Sequence, residues 1–296
     1  MNKKELIKLF VPPVLIKVVH YLVNRGKKKI ISPLPQIIHK SEKIIIIGNG
    51  PSLTLSVEKY KDQIMENDRI AVNFFASSNL YEILRPNIYV FADPAFFFIP
   101  DNQKNAIGTL INNIVTKTSW DMQMIIPFSA CDAPMVTSLR QNNRIKIDFY
   151  INFKQYYLGK SEFDAWNDNI IGPPAQNVLN VAIYLALFWG YKETYLIGAD
   201  SSFLEDLRVD QETNELYTID THFYRNKEVH SDHQFYDKKE RGRSRADWKL
   251  HELIYAHGRM FEYYEKLKKY ADYKGLKVYN ASEYSWINVF ERKKLK

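Results

Sequence analysis

Seven short segments of this chain are apolar runs, and between several of them apolar positions recur at helical spacing. The runs fall at 43–48 (KIIIIG), 69–73 (RIAVN), 87–92 (NIYVFA), 122–127 (MQMIIP), 145–150 (IKIDFY), 193–198 (ETYLIG) and 276–280 (LKVYN). Several are continuous rather than alternating, the pattern of parallel strands covered on both faces. Helical spacing is clearest at 175–189 (AQNVLNVAIYLALFW), closed by Gly190, and at 246–274. Strand and helix in alternation predict an α/β domain over 43–296, with a mostly parallel sheet and helices on both faces. In such sheets ligands bind at the carboxyl ends of strands, so the residues just after each run are the ones to read for chemistry. The stretch 201–245 is polar, charge-rich and without strong period, and is expected to form a functional loop or lid.

The first 42 residues follow a different pattern. An apolar stretch, Leu9–Ile16, is broken by Pro12 and Pro13, and Leu15, Val18, Val19 and Leu22 then recur at helical spacing among lysines. The prolines and Lys17 argue against a spanning helix, and no small-residue cleavage site marks a signal peptide. A basic amphipathic segment over 1–29 fits a helix lying on an anionic inner leaflet, which implies a cytoplasmic, peripheral protein. The competing reading packs that helix on protein. Residues 30–42 read as a linker, interrupted by Pro33 and Pro35.

Charge changes the picture once it is located. The 296-residue chain carries +7, but residues 1–43 hold ten Lys/Arg against Glu5 and Glu42, a local +8 that leaves the remainder at −1. The main body is therefore not basic, and nucleic acid is not an expected partner. One cysteine, Cys131, excludes an intrachain disulfide and a zinc site of Cys type.

The strand ends carry the candidate chemistry. After the first run comes Gly48-Asn49-Gly50-Pro51-Ser52-Leu53, where two glycines permit a sharp turn and Asn49 and Ser52 supply hydrogen bonds. Leu53 stands where a dinucleotide fingerprint has its third glycine, and no Gly-Lys-Ser/Thr follows to make a P-loop. Asn73 follows the second run, Asp93-Pro94 the third, and Asp200 follows YLIGA. Each is placed to meet a ribose or base, or else to cap a helix or turn. Asn177, in the first turn of the helix before the sixth run, is a further candidate.

IIIIGNGPSL, VNFF, VFADP and GYKETYLIGAD together resemble the bacterial sialyltransferases of glycosyltransferase family 42 and the wider MptE-like group, which includes 6-hydroxymethylpterin pyrophosphokinases. The resemblance covers about residues 43–200, with a weaker match at GLKVYNASEYS. It implies a Rossmann-like sheet, a variant of the GT-A fold, and a donor site for a CMP-sugar at Gly48, Asn49, Gly50, Pro51, Ser52, Asn73 and Asp93. Asp93 departs from the family's asparagine, and Asn177 stands where those enzymes carry a hydroxyl residue. The resemblance also implies a histidine general base, no metal or other cofactor, and a homo-oligomer.

Of seven histidines, His222 lies in the cluster DTHFY and His257 stands 22 residues before Tyr279, a spacing close to that of the family's base. Either is suited to take a proton from an acceptor hydroxyl. His230 is followed by Ser231, and with His233 it has a metal-compatible spacing that lacks a sequence-local third ligand. No Asp-x-Asp occurs, which disfavours the paired-carboxylate Mg²⁺ arrangement. Donors in the glycine turn and lid, among them Tyr217, Tyr224 and Tyr236, are expected to meet the leaving phosphate, while the basic run 238–245 reads as a solvated segment. The expected activity is transfer of sialic acid or a related keto acid from a CMP-sugar to a cell-surface glycan or its lipid-linked precursor, as in lipopolysaccharide or capsule synthesis. The rivals are an ATP- and Mg²⁺-dependent pterin pyrophosphokinase and a non-catalytic, membrane-associated scaffold.

Overall fold

The computed structural model describes residues 15, 34, 37, 39–97, 104–152, 160–173, 175–205, 207–212, 214, 216–218 and 249–296. Eight strands form one sheet: β1 (Lys43–Ile47), β2 (Asp68–Val72), β3 (Ile88–Val90), β4 (Met122–Pro127), β5 (Ile145–Tyr150), β6 (Glu193–Ile197), β9 (Lys277–Asn280) and β10 (Glu291–Arg292). Their order across the sheet is β10-β9-β6-β1-β2-β3-β4-β5, and every adjacent pair is parallel. All seven predicted strands are present within a residue or two of their expected ends.

The continuous apolar runs are explained by cover on both faces. Ile44, Ile45, Ile46 and Ile47 are all fully buried. Ile45 and Ile47 join one apolar core with Leu53 and Val57 of α1 (Leu53–Glu66) and with Ile107, Leu110 and Ile114 of α3 (Lys104–Lys117). That core also takes in α2 (Leu80–Leu84) and α4 (Pro134–Leu139). Ile44 and Ile46 join the opposite core, with Trp166 of α5 (Glu162–Asn167), α6 (Val178–Trp189) and α7 (Leu250–Lys274). The strand's period of two thus sorts four consecutive isoleucines into two cores. Each side chain so buried contributes about 1.5–3 kcal/mol of apolar transfer.

The order of strands fixes where a ligand can sit. From β1 the chain steps outward through β2, β3, β4 and β5, then returns to the other side of β1 as β6 before stepping on to β9 and β10. The reversal lies between β1 and β6, and the carboxyl ends of the strands on either side of such a reversal are where sheets of this order take ligands. The helices follow the same reversal, with α1–α4 on one face and α6 and α7 on the other.

Leu34, within the expected linker, is buried in the core under α6 and α7. His39 stacks on Tyr191 at 4.2 Å, and the Lys40 N–H donates to the buried Asp68 carboxylate at 2.9 Å. The described part of 30–42 is therefore docked on the domain. Between β6 and α7, Leu207–Val209 (β7) and Leu216–Thr218 (β8) pair as an antiparallel hairpin apart from the main sheet. Apart from Leu15, residues 1–29 lie outside the described residues, as do 219–248 and hence His222, His230, His233, Tyr224, Tyr236 and the run 238–245. Among the described residues no helix is long and apolar enough to cross a membrane.

Candidate functional site

The glycine turn at the end of β1 and the turn at the end of β6 are built against each other. The Gly48 N–H donates to the Ile197 carbonyl and the Gly50 N–H to the Gly198 carbonyl, each at 2.8 Å. A Cβ on Gly48 would meet the Gly198 oxygen at 2.3 Å, and one on Gly50 would meet Asp200 Oδ1 at 2.1 Å. Gly198 itself has φ +58 and lies against Leu53, whose Cβ would be 2.8 Å from an added one. Two strand ends pack at backbone distance here, and only glycine permits it.

Asp200 ties the two turns together. Its carboxylate accepts from the Ser52 N–H at 3.0 Å and from the Ser52 hydroxyl at 2.6 Å. Asp200 is 3% exposed, and burial raises its pKa against the opposing pull of the Ser52 hydrogen bonds. The Leu53 N–H donates to the Gly50 carbonyl at 3.1 Å. The N–H groups of Gly48, Gly50, Ser52 and Leu53 are thus all engaged inside the fold. The turn is not an open nest of donors of the kind that cradles phosphate in a P-loop.

What this end of the sheet holds instead is unpaired acceptors. Asn49 donates through Nδ2 to the Val72 carbonyl at 3.0 Å, which carries its side chain across to the end of β2. Its Oδ1 is covered and meets no hydrogen-bond donor. Asn73, one residue beyond, sits at φ 48, a left-handed conformation that asparagine tolerates better than most residues. The Tyr89 hydroxyl donates to the Asn73 carbonyl at 2.5 Å, and Asn73 Oδ1 is likewise covered and without a donor. A covered polar atom left unpaired costs about 1–3 kcal/mol, and two of the six such side-chain atoms among the described residues stand at these neighbouring strand ends.

The other expected residues fall around this pair. Asp93 caps the single 3₁₀ turn after β3, its Oδ1 accepting from the Ala95 N–H at 2.9 Å. Pro51 lies in the turn between Gly50 and Ser52 and is exposed. Asn177 is the N-cap of α6, accepting from the Asn180 N–H at 3.0 Å, while Asn180 Oδ1 reaches back to the N–H groups of Gln176 and Asn177. This reciprocal capping brings Asn180 Nδ2, buried and without an acceptor, to the amino end of the helix. Asn177 Nδ2 donates to the Tyr264 hydroxyl of α7 at 2.9 Å, whose pKa burial pushes up to about 12. His257 lies two turns before Tyr264 on α7, partly exposed, its ring stacked on Phe203 at 5.3 Å. Because α7 leads back to the start of β9, this end of it lies at the carboxyl edge of the sheet.

Several contributors are not evident from the strand-end reading. Gly198 is part of the YLIGA run, but its positive φ and its contact with Leu53 require the folded crossing. Ser282 and Ser285, from the NASEYS segment after β9, hold the β6 turn: the Ala199 N–H donates to Ser282 Oγ at 3.0 Å, and Ser285 Oγ donates to the Ala199 carbonyl at 2.6 Å. Among the described residues, no group of three or more His, Cys, Asp or Glu side chains is placed to hold a metal ion.

No protein-family model matches the chain, and no curated protein does. Among solved structures the chain is similar to the MAf glycosyltransferase from Magnetospirillum magneticum AMB-1, at 13% identity and a TM-score of 0.45, over 94% of this chain and 38% of that one. The chain thus spans well under half of that protein's length, and a likeness of this depth carries neither residue roles nor activity to this chain.

Proposed function

We propose that this chain is a glycosyltransferase that moves sialic acid or a related keto acid from a CMP-sugar to a glycan acceptor, using a histidine base and no metal. The observation that carries the reading is the pair of covered amide oxygens, Asn49 Oδ1 and Asn73 Oδ1, at the switch point of the sheet. They call for hydrogen-bond donors, which ribose hydroxyls or the exocyclic amine of cytosine supply and a phosphate does not. The nucleoside therefore belongs over the ends of β1 and β2. The phosphate belongs at the amino end of α6, where the helix dipole and Asn180 Nδ2 favour negative charge. The proton of the acceptor hydroxyl passes to a ring nitrogen of His257 or of His222. The hydroxyl oxygen bonds to the anomeric carbon as that carbon's bond to the phosphate oxygen breaks, and CMP leaves with the electron pair. Lipid-linked acceptors, the membrane role of residues 1–29 and a homo-oligomer belong to the same proposal and rest on sequence.

Titration calorimetry with CMP and with ATP, each with and without Mg²⁺, tests the reading. CMP is expected to bind equally well in both conditions; preference for ATP with Mg²⁺ favours the pyrophosphokinase, and no nucleotide binding favours the scaffold. His257→Ala and His222→Ala are expected to differ, with one of them losing about 10²-fold or more in kcat. Full turnover in both would remove the histidine base.

A further inference from the structure

The segment after β9 and the segment after β6 meet outside the glycine turn and build an ordered, solvent-facing aromatic shelf. Trp286 and Tyr284 are 38% and 45% exposed, large for aromatic rings in a folded domain. Neither ring is loose. The Trp286 indole N–H is shared between Glu205 Oε1 at 3.0 Å and the Tyr284 hydroxyl at 2.8 Å, and the Tyr284 hydroxyl also bonds Glu205 Oε1. The Trp286 backbone N–H donates to the Asp200 carbonyl at 2.8 Å, and the Ser52 hydroxyl lies 3.5 Å from the Tyr284 carbonyl. The shelf is therefore continuous with the turn that joins β1 to β6. Phe203, two residues before Glu205 and 40% exposed, stacks on the His257 ring.

We propose that this shelf binds the acceptor, and that the acceptor presents a neutral pyranose there. The inference rests on the glycosyl-transfer reading for the identity of the occupant. Three features on the shelf select it. Rigid aromatic faces held open to solvent match the C–H face of a sugar ring, which is apolar on one side and polar at its rim. The Glu205 carboxylate has a second oxygen, Oε2, that takes part in neither aromatic bond and is placed to accept from sugar hydroxyls. The same negative charge repels a uronate or sialate, so the shelf discriminates against acidic acceptors. Its distance from the switch point is short in bonding terms, since one peptide group links it to Asp200 and another to Ser52.

The test uses the full chain and named probes: the methyl glycosides of glucose, galactose and mannose, lactose, and sialic acid as the acidic control. Binding is read by saturation-transfer NMR and by Trp fluorescence, alongside CMP titration on the same samples. At least one neutral sugar is expected to bind, and sialic acid at least about tenfold more weakly. Trp286→Leu is expected to weaken the neutral sugar about five- to tenfold while CMP affinity stays within about twofold. Glu205→Gln is expected to narrow the neutral-over-acidic preference, and Trp286→Phe, which keeps a ring and discards the N–H, to retain part of the affinity. If CMP binds but no neutral sugar does, or if Trp286→Leu leaves sugar binding unchanged with the fold intact by circular dichroism, the shelf is not an acceptor site and the nucleotide reading stands. If sugars bind to the shelf and CMP does not bind at all, the donor reading fails while the shelf survives.

Discussion

Gly50 and Asp200 form the tightest juxtaposition in the candidate site, and each accounts for the other. The carboxylate needs the space that a missing Cβ leaves, and the turn needs the carboxylate to pair the Ser52 N–H and hydroxyl. Gly50→Ala is expected to cost about 2–3 kcal/mol through overpacking. Asp200→Ala is expected to cost about 1–3 kcal/mol, because it leaves the covered Ser52 N–H without an acceptor and the Ser52 hydroxyl with only the Tyr284 carbonyl at 3.5 Å. The double variant is expected to lose less than the sum, by about 1–2 kcal/mol, since alanine at 200 vacates the space that Cβ of residue 50 would enter. Urea denaturation of the four proteins measures this directly, and strict additivity would show that the two residues act separately. At this scale the positions of Asn49 and Asn73 at the strand ends were legible, as polar residues after apolar runs. That their side-chain oxygens lack donors was not, because partner counting needs coordinates.

Helices α6 and α7 are where packing serves the site most directly. α6 is buried on nearly every side, as its run of apolar residues requires, and its amino end is held by the Asn177–Asn180 capping box. The Asn177 bond to Tyr264 then fixes α6 against α7, and so fixes the amino end of α6 relative to His257. Tyr264→Phe removes the acceptor of Asn177 Nδ2 and is expected to cost about 1–2 kcal/mol in guanidinium unfolding. Retention of full stability would mean that water replaces the phenol at no cost. The long elements were read closely from the sequence: the helix expected at 175–189 is observed at Val178–Trp189, and that at 246–274 at Leu250–Lys274. Three of the short strands were not. β7, β8 and β10 have three, three and two residues, too few to show a period, and they exist through pairing with chain that is remote or across a turn.

Across the whole molecule, tyrosine burial sets a dependence on pH. Tyr81, Tyr150, Tyr184, Tyr191 and Tyr270 all have pKa values raised above 10.0, burial being the largest cause in each, and Tyr264 is raised to about 12. An acid whose folded pKa exceeds its unfolded one binds its proton more tightly in the native state. Its contribution is therefore complete below the unfolded value near 10 and is lost as pH rises through the folded value. Denaturation midpoints are expected to hold to about pH 9 and then fall steeply between about pH 10 and 12. A flat profile through that window would contradict the burial of these phenols. The apolar runs and their spacing by themselves determined the class of fold, because a run without alternation is stable only when both faces are covered. They also placed polar residues at the strand ends, since those positions follow from where each run stops. Strand order, the reversal between β1 and β6, the crossing of Gly48 and Gly50 over Gly198 and Asp200, and the aromatic shelf were decided only in the tertiary structure. Each depends on residues about 80 to 150 or more positions apart, and no local pattern records which distant backbone will approach.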